Sequence, residues 1–381
     1  MAKDIHGSPF TEGTQCKLEL YRMYLRESIP LFLARGNIGS ITICDFFAGP
    51  GYDSEGNKGS PFLAIDTISE LLQDVRLPGR EKRFRFIFND ASPEKAEKLR
   101  GNLKSAAALN SNFTFEVYNE PFQTCFFNNV HKLRLARNAN IVFIDQYGIK
   151  EVTQLIFEQL TGLYNTDFLF FLASASANRF KDMDSIWGNL PPLSEEEKQR
   201  INGKNVHRVI SEKYRQWIPA SRNFYLGSFS ILKHSNVYGL VFGSGHPFGL
   251  EKFLDIAWKR SAEFGGEANF DIDGDRIDLR QPSLFPEDNI PTKTKEFNKI
   301  LARKILSNDL ISNHDVYIFT LYMGMLPRHA RELVQELVGK GLIPNQSLRI
   351  SRKAYKLPAQ RIMLFQENGN ERHLPTEGSG P

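Results

Sequence analysis

The chain has 381 residues, of which 41% are hydrophobic and 24% charged. That is the composition of a folded globular protein with room for more than one domain. No apolar run reaches the length of a membrane span, and residues 1–7 lack an apolar secretory region, so we expect no membrane partner and no secretion. Cys16, Cys44 and Cys125 lie far apart and form no CxxC pair. This argues against a zinc site or a disulfide framework and predicts a reducing, cytoplasmic setting. The net charge of +4 is too small to identify a partner.

In chain order, residues 16–36 carry apolar positions at helical spacing, and Pro30 is expected to kink or divide the helix. Lys17 could reach a ligand, and a solvated lysine is the simpler reading. Residues 41–45 read as a buried parallel strand with Asp45 near its end, followed by the turn Phe47-Ala48-Gly49-Pro50-Gly51. Glycines let the backbone pass close to a ligand, and ligands of open α/β sheets sit at the carboxyl ends of strands. An acid leading into a short glycine turn suits the ammonium of S-adenosylmethionine, with Asp45, Phe47, Gly49 and Gly51 as candidate contacts. It suits a pyrophosphate less well, because Asp45 repels phosphate and the GxGxxG spacing is absent. The same residues also read as a plain tight turn.

Ser60-Pro61 starts the next helix, with Ser60 at the N-cap. Residues 83–90 form a second strand ending in Asp90, which reads either as a ribose-binding carboxylate or as a cap for the following helix. The alternating strand at 113–119 ends at Asn119, a candidate adenine contact. A fourth strand at 139–144 leads into Asp145-Gln146-Tyr147-Gly148. Asp145 and Tyr147 are candidates to bind and orient a substrate amine, stack a planar group and so position the acceptor; the other reading is a helix cap and a core tyrosine. Residues 167–175 read as a central strand buried on both faces, and residues 181–220 as a helical excursion.

Residues 224–243 hold two strands separated only by His234-Ser235-Asn236, too short for a crossover, so they form an antiparallel hairpin. Five β/α steps followed by a hairpin is the layout of a class I methyltransferase. The expected fold is therefore an α/β Rossmann-type domain, mostly parallel with a terminal antiparallel hairpin, over residues 1–265. Residues 266–292 read as a linker. Asp271, Asp273 and Asp275 have the spacing of a calcium loop but lack its closing glutamate, so no metal is assigned. Residues 293–366 read as three helices and a β hairpin, a winged helix-turn-helix, with residues 367–381 as a disordered tail. Between Lys340 and Arg361 there are six basic residues and no acidic one. Arg349, Arg352, Lys353 and Lys356 of that stretch, with Arg328 and Arg331 on the third helix, are candidate contacts to DNA or RNA. A winged helix also serves protein packing alone.

The blocks Asp45-Phe46-Phe47-Ala48-Gly49-Pro50-Gly51, Gly59-Ser60-Pro61-Phe62-Leu63-Ala64, Asp145-Gln146-Tyr147-Gly148 and residues 326–343 resemble the bacterial three-Cys-motif partner family, TcmP. The resemblance covers most of the chain. It implies a methyltransferase-like Rossmann domain and a partner protein carrying three cysteines. Amino methyltransferases of DNA commonly carry Asp/Asn-Pro-Pro-Tyr at the fourth strand end, and both prolines are absent after Asp145. Cytosine C5 chemistry also lacks its cysteine nucleophile at that strand end. The function expected is a methyltransferase-like protein using S-adenosylmethionine and acting on or guided by nucleic acid. The alternative is a non-catalytic nucleic-acid-binding adaptor, and a NAD-binding enzyme is a third reading.

Overall fold

A computed structural model describes residues 9–106, 110–146, 151–172, 193–200, 206–233, 236–263 and 292–365. Seven strands form one sheet: β1 (Ser40–Asp45), β2 (Arg83–Asn89), β3 (Phe113–Tyr118), β4 (Asn138–Ile144), β5 (Thr166–Leu172), β6 (Tyr225–Lys233) and β7 (Asn236–Ser244). Their spatial order is β3-β2-β1-β4-β5-β7-β6. The first five are parallel, and β7 runs antiparallel to both β5 and β6. The expected terminal hairpin is therefore present, and this strand order is that of the class I methyltransferase fold.

Helices cover both faces because the central strands are apolar on both sides. On one side lie α1 (Glu12–Leu33), α2 (Ser60–Gln73) and α8 (Pro247–Glu263). Here Tyr21 stacks on Phe143 at 4.4 Å, and Tyr24 meets Phe242 and Phe253. The other side holds α4 (Phe122–Leu133), α5 (Gln154–Thr161) and α7 (Val206–Gln216). Their apolar residues share one core with Cys44, Val142, Phe168 and Phe170. Adjacent strand positions face opposite layers, as the period of two demands. The remaining helices of this part are α3 (Pro93–Ala106) and α6 (Glu195–Arg200).

Two helix boundaries differ from expectation. Pro30 does not divide α1, which continues to Leu33; three residues from the end, proline removes only one late hydrogen bond. Its last carbonyls are held instead by the buried Lys82, whose Nζ donates to Phe32 O (3.1 Å), Leu33 O (2.7 Å) and Arg35 O (2.7 Å). Gly59, not Ser60, is the N-cap of α2. That leaves the Ser60 hydroxyl free to face the end of β1.

The chain divides into two units, Met1–Lys293 with Leu321–Leu326, and Thr294–Thr320 with Pro327–Pro381. The second is built on α9 (Thr292–Leu306), α10 (Asn313–Tyr322) and α11 (Pro327–Gly339). Ala330, Leu333, Val334 and Leu337 form the buried face of α11, and Gly341 turns the chain with φ 68° just past its end. The expected hairpin is not formed as a ladder among the described residues. A short helix α12 (Arg352–Tyr355), capped by Ser351, stands within that stretch. Glutamine side chains then join the flanking segments: Gln346 exchanges hydrogen bonds with the Met363 backbone, and Gln360 accepts from Arg349 N. An isolated bridge links Ser312 to Arg361. The Asp271–Asp275 stretch and the 367–381 tail lie outside the described residues, as does nearly all of the proposed linker.

Gly51 has φ 88°, and a Cβ there would fall 2.5 Å from the Phe62 ring. Gly51→Ala is expected to destabilise the protein by roughly 1–3 kcal/mol or more, measured as a lowered urea midpoint. An unchanged midpoint would contradict the packing described.

Candidate functional site at the carboxyl edge of the sheet

The parallel strands deliver Asp45, Asp90, Asn119 and Asp145 to one edge, each at or just after a strand end. The turn after β1 threads between them, and its backbone is tied to its neighbours. Asp45 Oδ1 accepts from Phe47 N (3.0 Å), and Ala48 N donates to Asn89 O (2.9 Å). Gly49 N donates to Asp90 Oδ2 (3.0 Å), and Asn89 Nδ2 donates to Phe46 O (3.2 Å). Gly49 (φ 61°) and Gly51 supply the left-handed conformations that this path requires.

Asp90 has a scaffolding task. Its second oxygen accepts from Ser92 N (2.8 Å) just before α3, whose first turn is capped by the Ser92 hydroxyl accepting from Lys95 N (3.4 Å), and the same carboxylate also closes the glycine turn. Each oxygen keeps a further lone pair. Asn119 is exposed and donates to the Asp90 carbonyl (2.9 Å). Phe47 is half-buried, with its ring centre 5.2 Å from that of Phe122. Tyr147 and Gly148 lie outside the described residues.

Asp45 is the anomalous group. Its side chain is buried at 1% exposure, and Oδ2 has no partner in hydrogen-bonding geometry. Burial pushes its pKa up to about 7; the Ser60 hydroxyl and the Phe47 N–H oppose the rise, and the charges of Asp145 and Asp90 add to it. The Tyr21 phenol on α1 is likewise buried without a hydrogen-bond partner. Burial raises its pKa first and the charge of Asp45 second.

Sequence reasoning missed two contributors and placed a third, Lys17, in solvent. Asn89 staples three strand ends, its Nδ2 donating also to Glu120 O (3.0 Å) and its Oδ1 accepting from Glu120 N (3.1 Å); a lone Asn at a strand end carries no distinguishing signal. Asp53 folds the loop after the turn, accepting from Glu55 N, Asn57 N and Asn57 Nδ2, and also from Phe10 N (2.8 Å). Lys17, expected in solvent, is instead ion-paired with Asp145, with its ammonium 4.9 Å from the Phe171 ring centre. The signal lay in the spacing of Lys17, Tyr21, Tyr24 and Ser28, one stripe of the helix. Among the described residues no His/Cys/Asp/Glu group is arranged to hold a metal, and no helix is long and apolar enough to cross a membrane.

No family model and no curated protein matches the chain. Among solved structures it is similar to an O-methyltransferase of Bacillus cereus (12% identity, TM-score 0.34, 62% of this chain and 91% of that one). It is also similar to the O-methyltransferase TomG of Streptomyces achromogenes (11%, 0.34, 64% and 98%) and to spermidine synthase of Thermotoga maritima (13%, 0.31, 66% and 67%). These similarities are too low to bear on chemistry, and the fold assignment rests on strand order and direction.

Asp45 holds its proton more tightly folded than unfolded, because its pKa rises from 3.8 to about 7. Its contribution therefore costs stability as pH rises from about 4 to 7 and is constant above. Asp45→Asn should gain on the wild type across that window, by at most about 4 kcal/mol at pH 8. Urea denaturation of both proteins at pH 4, 6 and 8 measures it, and a difference that does not grow with pH would overturn the assignment.

Proposed function

We propose that the chain is a methyltransferase-like protein that uses S-adenosylmethionine, acts on or is guided by nucleic acid, and works with a three-Cys-motif partner. The observation that carries the cofactor is Asp45. An unpartnered carboxylate oxygen, buried beside a glycine turn and flanked by two more acids, is arranged to receive a cation. The amino-acid end of S-adenosylmethionine brings an ammonium and a sulfonium, whereas a dinucleotide brings phosphate. Asp45 would take the cationic end beside Gly49 and Gly51. Asp90 keeps lone pairs for ribose hydroxyls, and Phe47 and Asn119 stand nearest for the rest of the nucleoside. Bound there, the cofactor would supply an electrophilic methyl group; the protein's part is to orient the acceptor, chiefly through Asp145.

The second unit supports the nucleic-acid half of the reading. Arg328, Arg349, Lys353 and Lys356 are exposed, and Arg352 is half-buried. Arg331 also ties α11 to its neighbour by donating to Ile350 O (2.9 Å). We read this unit as a winged helix, with the Ser312–Arg361 bridge joining the α9–α10 connection to the last segment. The three-Cys-motif partner rests on the sequence resemblance alone. A non-catalytic adaptor is the second reading, favoured by the absent prolines after Asp145 and by these exposed basic side chains.

Calorimetry with S-adenosylmethionine and S-adenosylhomocysteine, with NAD as control, tests the cofactor. Affinity for S-adenosylmethionine should strengthen by up to about tenfold per unit from pH 5.5 to 7, as Asp45 ionises. Asp45→Asn should lose both the affinity and the slope, and no binding by the wild type would remove the reading. For nucleic acid, filter binding at two salt concentrations should show a steep salt dependence. The triple variant R352A/K353A/K356A should flatten its slope by roughly 2–3. Absence of binding at low salt would sink that half.

A further inference from the structure

We propose that Lys17 and Asp145 together bind the acceptor's nucleophile and that this nucleophile is a hydroxyl oxygen. On the nucleic-acid reading it is the ribose 2′-hydroxyl of RNA rather than an amine of a base. The inference rests on the S-adenosylmethionine reading above and deepens it.

The two side chains come from different elements, α1 and the end of β4, and meet as an ion pair. Their side-chain exposures are 12% and 23%, so the pair is shielded but reachable. The Phe171 ring on β5 lies against the ammonium and holds it from below. An ammonium offers three N–H donors and no acceptor, while an ionised carboxylate only accepts. Because the two groups touch, a single nucleophile atom seated against both must accept from Lys17 and donate to Asp145. A hydroxyl does this. A base amino group donates well, but its nitrogen lone pair is delocalised into the ring and is a poor acceptor for Lys17. A protonated amine would be repelled.

The charges also match the reaction. The oxygen's electron pair forms the new O–CH3 bond, the C–S pair stays with sulfur as the cofactor becomes S-adenosylhomocysteine, and the hydroxyl proton passes to Asp145. Negative charge grows on oxygen as that proton leaves. Lys17 keeps its own proton and stabilises the charge where it develops. The absent prolines after Asp145 point the same way, because a strand end that presents base amines commonly carries them.

The test uses the full chain saturated with S-adenosylhomocysteine and three mixed-sequence 12-mers: RNA, DNA and fully 2′-O-methylated RNA. Fluorescence anisotropy should show roughly tenfold tighter binding of RNA than of the other two, the size of one charge-assisted hydrogen bond. Lys17→Met should erase the preference while leaving S-adenosylhomocysteine affinity within about twofold by calorimetry. Lys17→Arg should retain part of the preference, and K17M/D145N, which leaves no unpaired charge, guards against misfolding as the cause. With tritiated S-adenosylmethionine, nuclease digestion should place label on ribose. Label on a base nitrogen, label on DNA, equal affinity for RNA and its 2′-O-methylated form, or no ribose label with the cofactor bound would each overturn the inference. Failure of the wild type to bind S-adenosylhomocysteine defeats the cofactor reading instead.

Discussion

The turn from Phe46 to Gly49 leaves the sheet after a last ladder bond from Phe46 N to Phe143 O (3.3 Å), and its remaining buried polar groups must find partners. The end of β2 provides them. The Asn89 carbonyl takes Ala48 N, the Asp90 carboxylate takes Gly49 N, and the Asn89 amide reaches Phe46 O. The path of the turn is thus dictated by a neighbouring strand end, not by its own glycines alone. Because Asn89 also grips Glu120 on both sides of its amide, one side chain ties three strand ends together. The candidate site is precise for that reason.

The three carboxylates gathered there are not equivalent. Asp90 is answered by two backbone N–H groups and Asp145 by Lys17. Asp45 has one oxygen answered and one not. An incoming cation therefore gains most at Asp45, where the folded chain has left a charge poorly solvated. Such a group weakens the fold at neutral pH while preparing it to bind, a pattern common at functional sites.

Most of the sheet was readable because its signals are local. Alternation marks β3, a nearly continuous apolar run marks β5, and the short gap read at His234-Ser235-Asn236 forced the hairpin. Asp45, Asp90 and Asp145 were readable because open sheets place strand ends at one edge. Lys17 was not, since its partner lies 128 residues away and its role depends on α1 passing over β4. Asn89 was hidden because a carboxamide that staples loops has no pattern of its own. In the second unit, β-favouring residues at 347–350 and 361–365 suggested paired strands. Ser351 started a helical turn between them, and glutamine side chains took over much of the pairing.

The long helix α1 carries a kinetic consequence. It precedes every strand of the sheet, and four ties that fix it come from residues much later in the sequence. Lys82 secures its carbonyl end, Asp145 takes Lys17, Asp167 accepts from Tyr24, and Lys252 pairs with Glu27 across 225 residues of sequence. Contacts of such separation form late and slow folding. α1 is therefore locked late, once the distant segments that hold it have folded.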